Sequence, residues 1–95
     1  MRIRHQMTRH ARERSTARLL PPGIAQMILE YGASRDAGDG ARKFALSSDS
    51  MAELSRDYGR ELPKALEPYR RRGAYVVAVA DQIVTVAFAG KPLFN

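Results

Sequence analysis

Three side chains near the start of the sequence are spaced for chemistry. His10, Arg14 and Arg18 follow one another at intervals of four residues in the stretch His10-Ala11-Arg12-Glu13-Arg14-Ser15-Thr16-Ala17-Arg18. On an α-helix this interval stacks one imidazole and two guanidiniums along one side. An imidazole titrates near neutrality, whereas a guanidinium keeps its charge. A titrating nitrogen beside fixed positive charge suits a site that handles a phosphodiester.

The spacing predicts a helix over residues 5–18. With about 100° of turn per residue, Ile3, Met7, Arg14, Ala17 and Arg18 fall within roughly 80° of His10. His5, Thr8, Arg9, Arg12 and Thr16 point the other way. His10 and Arg14 therefore share the least polar face, and Arg9 and Arg12 lie on the wet one. Charge on an inward face is costly unless it lines a cleft or finds a partner. That contrast singles out His10 and Arg14 among the many basic residues.

The chain has 95 residues, 44% of them hydrophobic, which is one globular domain over 1–95 with no room for a second core. Cysteine is absent, so no disulfide framework supports the fold, and a reducing cytoplasm is the expected location. No apolar run is long enough to cross a membrane. The Arg-rich start has the composition of a transit peptide, but it continues into a patterned helix and is read as part of the domain. Net charge is +6 and unevenly spread. Residues 1–18 hold six arginines and one acid, and Arg70-Arg71-Arg72 forms a second cluster. RNA, DNA or an acidic protein is the natural partner of such a chain.

The elements that must position these groups follow from periodicity and punctuation. Pro21-Pro22-Gly23 opens a second helix, with Ile24, Met27, Ile28 and Tyr31 at core spacing and Gly32 as its C-terminal stop. Residues 33–47 read as a hairpin around Asp36-Ala37-Gly38-Asp39-Gly40. Its glycines lack the spacing of a phosphate-binding loop. Ser50-Met51-Ala52-Glu53 reads as a capping box opening a third helix with Met51, Leu54 and Tyr58 on one face. Pro63 and Pro68 make residues 60–69 an irregular or short helical connection held by Leu62 and Leu66. Tyr75–Ala80 and Ile83–Phe88 are β-branched and aromatic, joined at Asp81-Gln82 in a tight hairpin. Strands so apolar are central, covered on both faces, or at a contact with a second copy of the chain. The expected class is α+β: two N-terminal helices packed on a four-stranded antiparallel sheet, with a helix between the two hairpins.

Taken together, His10-Ala11, Arg14, Arg18, Ile24 to Gly32, Tyr75 to Ala80 and Ile83 to Val86 resemble a bacterial family of small domains. That family is placed in the RelE-like superfamily with barnase, EndoU and colicin-type ribonucleases. The resemblance covers most of the chain from residue 10 onward. It differs at Leu19-Leu20-Pro21, where the family has a glycine after the second arginine, and segment 59–72 has no counterpart. The resemblance implies a RelE/barnase-like fold. It also implies a metal-independent endoribonuclease, often the toxin of a toxin–antitoxin pair with an antitoxin protein as partner. His10 matches the helix histidine facing the sheet, Arg14 and Arg18 the basic positions after it, and Thr85 the polar residue of the last strand.

Metal-free RNA cleavage needs a base for the ribose 2′-OH, cationic donors for the phosphorane and an acid for the leaving 5′ oxygen. His10 is expected as general base or acid. Arg14 and Arg18 would grip phosphate oxygens through their planar forks. Thr85, with Lys43 and Tyr75, would orient the scissile group, and the product would be a 2′,3′-cyclic phosphate. Arg9, Arg12, Lys43, Arg70, Arg71 and Arg72 are the expected RNA-binding set. His5 lies about 140° from His10 on the helix, so the second acid–base group has no candidate. No cofactor or metal is expected, since two histidines without cysteine give no zinc spacing.

Plainer roles stand beside these. His10 also suits a buried histidine bonded to a backbone carbonyl, Arg14 a salt bridge to an acid such as Glu30, and Arg18 open solvent. Thr85 suits packing, and Arg70-Arg71-Arg72 a solvated face. Asp49, Glu53, Asp57 and Glu61 repeat every four residues as a wet stripe pairing with Arg56 and Arg60. The alternatives to an enzyme are a catalytically inactive RNA-binding module of the same fold and a protein-interaction subunit using the apolar strands.

Overall fold

A computed structural model of the chain describes residues 6–7, 20–80 and 82–94. Its elements are β1 (Gln6–Met7), α1 (Pro22–Tyr31), β2 (Ala33–Gly38), β3 (Ala41–Ala45), α2 (Ser48–Tyr58), α3 (Glu61–Arg71), β4 (Ala74–Val79) and β5 (Gln82–Phe88). The strands form one sheet in the order β1-β5-β4-β3-β2. The β2 to β5 ladders are antiparallel, and β1 adds a two-residue parallel edge to β5. The described residues thus form an α+β fold of three helices and a four-stranded antiparallel sheet with that short extra edge.

Two expectations are corrected. Gln6 and Met7 do not belong to a helix running from residue 5; they pair as strand with Gln82 and Ile83. The local 3.6-residue pattern yields there to the open edge of an apolar strand, whose backbone groups need partners. The remainder of the expected first helix lies outside the described residues. Second, two helices rather than one stand between the hairpins. Residues 61–71 are helical despite two prolines. Pro63 occupies the third position of α3, where its missing N–H would have no intrahelical partner. Pro68 lies inside the helix only one turn from its end, where Leu62, Leu66 and Tyr69 still reach the core.

Smaller shifts have local causes. The α2 capping box uses Ser47 and Ser50, each side chain bonding the other's backbone N–H, so the helix begins ahead of the expected Ser50 start. Gly32 stops α1 in an extended rather than left-handed conformation. Glycine is needed there because a Cβ would run into the Ile28 and Ala45 carbonyl oxygens. Val79 already pairs with Gln82, which was expected in the closing turn, and Ala80 leaves the strand at φ 48°.

All three helices cover the same sheet face. Leu20, Ala25, Ile28, Leu46, Leu54 and Leu66 pack with Ala74, Val76, Ala78, Ile83 and Val86 in one core. Alternation along the strands turns Tyr75, Val77 and Val79 to the opposite face. That second face carries the candidate site.

Candidate functional site

Register sorts the helix-free face into transverse rows. One row runs Ala33–Ala45–Tyr75–Ala87 across β2, β3, β4 and β5. The next runs Arg35–Lys43–Val77–Thr85. Directly paired residues on neighbouring strands share a face. Lys43 and Thr85 therefore point the same way, two strand spacings or about 10 Å apart, with Arg35 one strand beyond Lys43.

Two alanines of the first row are covered. Ala45 and Ala87 are 2% and 8% exposed, although they face away from the helices and stand outside the main core. The segment after β5 accounts for this. Its backbone is tied to the α3–β4 turn, with Ala89 N–H donating to the Gly73 carbonyl and Gly90 N–H to that of Arg72. Gly73, at φ 72°, leaves no room for a Cβ beside the Lys91 carbonyl. Phe94 is buried, and the Arg35 guanidinium sits 4.5 Å from its ring centroid. Crossing from β5 to β2 takes three spacings of about 4.8 Å, and six residues reach about 20 Å. Small side chains in the row beneath let this tail lie close to the sheet.

The second row stays accessible, with Arg35 exposed and Lys43, Val77 and Thr85 half-buried. Lys43 Nζ lies 4.8 Å from the Tyr75 ring centroid. Both cations of the row are thus held by rings, and among the described residues no carboxylate pairs with either. A cation over a ring keeps its charge and its N–H donors. The row can bind an anion, and the Thr85 hydroxyl can donate to or accept from it. It holds no group that titrates near neutrality at its ordinary pKa.

The arginine run is differently placed. Arg70 at the end of α3 bonds Glu67 through Nε at 2.9 Å and Nη2 at 2.6 Å. Those bonds and the charge hold the Glu67 carboxyl below its ordinary pKa, against the effect of burial. Arg71 reaches the same carboxylate at 3.5 Å and is otherwise in solvent. Arg72 lies 4.2 Å from the Phe88 ring centroid. Arg70 is therefore paired with an acid, and the three side chains have different surroundings. On the helical side, a cleft of about 460 Å³ opens between α2 and α3, lined by Met51, Ser55, Arg60, Pro63, Lys64 and Glu67.

Asp57, expected in an acidic stripe with arginines, accepts a 2.7 Å hydrogen bond from the Tyr31 hydroxyl. That bond, with burial and the adjacent Tyr58, pushes the Tyr31 pKa up to about 12. The rings of Tyr31 and Tyr58 meet edge to face.

His10, Arg14 and Arg18, with Arg9 and Arg12, lie outside the described residues, as does His5. Lys43, Tyr75 and Thr85 share the open face. Arg35 and Phe94 complete that face and were not singled out by sequence. The signal for Arg35 was the hairpin register, which sets it opposite Lys43; nothing local marks Phe94. Among the described residues no helix is long and apolar enough to cross a membrane. No protein-family model, curated protein or solved structure matches the chain.

Proposed function

We propose that the chain is a metal-independent endoribonuclease that lays RNA across the open sheet face, and that it is the cytoplasmic toxin of a bacterial toxin–antitoxin pair. The observation that carries the binding half is the row Arg35–Lys43–Val77–Thr85, whose two cations rest on rings with no neutralising carboxylate among the described residues. Polyanions bind where positive charge is left uncompensated. Tyr75 adds a ring on which a base can stack.

The cleaving half rests on the sequence. In this reading His10 serves as general base or acid, Arg14 and Arg18 stabilise the phosphorane, and Thr85 orients the scissile group. Met7 pairs with Ile83 at the sheet edge, three residues before His10, and three residues span at most about 11 Å. That tether supports a histidine acting beside the β5 edge of the row. A RelE/barnase-like fold belongs to the same proposal.

A second reading, an RNA-binding module without cleavage, is favoured by the lack of a histidine or other side chain with an ordinary pKa near neutrality among the described residues of the face. The test uses wild type and His10→Ala with single-stranded and structured RNA in excess chelator. Cutting to 2′,3′-cyclic phosphate ends that disappears in His10→Ala supports the enzyme. Equal binding by both, without cutting, leaves the module. No binding by either removes both readings.

A further inference from the structure

Arg35 sits on the outermost strand of the sheet, where an exposed arginine ordinarily samples many rotamers. Ordering such a side chain on binding an anion costs affinity. Here one face of its guanidinium already has a partner. Its guanidinium lies over Phe94, which is 7% exposed and belongs to a tail anchored at Arg72 and Gly73 by one backbone hydrogen bond each and by a close backbone contact at Gly73. Six residues after β5, the chain has thus crossed the face to deliver one ring beneath one cation. No carboxylate among the described residues competes for that cation.

We infer that Phe94 is a positioning residue for RNA binding: its ring fixes the Arg35 guanidinium in line with Lys43 and Thr85, so that the C-terminal tail is a working wall of the site. The inference rests on the RNA reading and adds to it a residue that touches no RNA. Phe94 acts through Arg35, and the contact leaves the guanidinium N–H groups free for phosphate oxygens.

The test is a double-mutant cycle read by binding of a 2′-O-methyl RNA single strand, which lacks the attacking hydroxyl and is not cut. Phe94→Leu keeps apolar volume and removes the ring. It is expected to weaken binding about twofold to fivefold, the size of one exposed cation–π contact. Phe94→Tyr is expected to bind as wild type. In an Arg35→Ala background, Phe94→Leu is expected to add nothing. Wild-type affinity in Phe94→Leu, or losses that add independently of Arg35, overturns the inference and leaves the RNA reading intact. No binding by wild type overturns both. A measurement on the unaltered chain guards against misfolding of the variant. The Arg35 side-chain protons are expected upfield of free-arginine positions through the Phe94 ring current, and unshifted protons overturn the inference.

Discussion

Lys43 and Tyr75 face each other diagonally across the β3–β4 ladder, with the ammonium 4.8 Å from the ring centroid. The ring holds the cation without cancelling it, which a carboxylate would do. If this pair binds a phosphate strand, Lys43→Ala lowers affinity for RNAs of unrelated sequence to a similar extent. It also flattens the dependence of log K on log salt by about 0.7, the increment for one phosphate contact on a single strand. Arg70→Ala leaves that slope unchanged, because Glu67 already neutralises Arg70. Fluorescence titrations over a range of salt concentrations check both statements.

Gly73 ties the tail to the fold. An alanine there must adopt φ 72° and displace the Lys91 carbonyl. A left-handed residue with a Cβ costs about 1–2 kcal/mol, and the collision adds to it. Gly73→Ala is expected to lose at least ~2 kcal/mol in denaturant unfolding and to expose the Phe94 segment to limited proteolysis. Gly38→Ala, also at positive φ but with open space around its Cβ position, pays only the conformational part.

The sheet was legible in the sequence because its signals are local. The apolar runs at 75–80 and 83–88 mark the second hairpin within a residue or so of the observed strands, whereas the turn residues at 36–40 mark the first hairpin but not its bounds, since β2 runs on through Gly38. The second helix between the hairpins was legible only as an irregular or short helical connection, because Pro63 and Pro68 read as breakers unless their places in the helix are known. Half of the described site was visible as Lys43, Tyr75 and Thr85. Their common face depends on register across three strands, which includes a bulge between Val77 and Ala78. Phe94 reaches Arg35 across a separation of 59 positions, a tertiary contact with no local trace. The segment carrying His10, Arg14 and Arg18 remains argued from spacing and resemblance.

Ser47 and Ser50 are buried at the start of α2 and satisfy each other's backbone N–H groups. Ser47→Ala removes the cap and strands the Ser50 N–H. A loss of about 1 kcal/mol is expected in urea unfolding, with the m-value unchanged. Ser48→Ala, exposed and outside the box, changes stability by less than about 0.5 kcal/mol.

Tyr31 donates to the Asp57 carboxylate, and its pKa stands at about 12. The folded-state value lies above the ordinary 10 of an unfolded tyrosine. The contribution to stability is therefore complete below pH 10 and is lost as pH rises through about 12. Ultraviolet titration of the folded protein should show this tyrosine ionising later than an ordinary one. Asp57→Asn should bring it down by removing the largest cause.

The most direct test of the account is to map RNA on the protein by NMR chemical-shift perturbation with an uncleavable 2′-O-methyl single strand. Perturbations are expected to centre on Arg35, Lys43, Tyr75 and Thr85 and to diminish as salt is raised. Perturbations confined to the cleft around Arg60 and Lys64, or none at low salt, would contradict it.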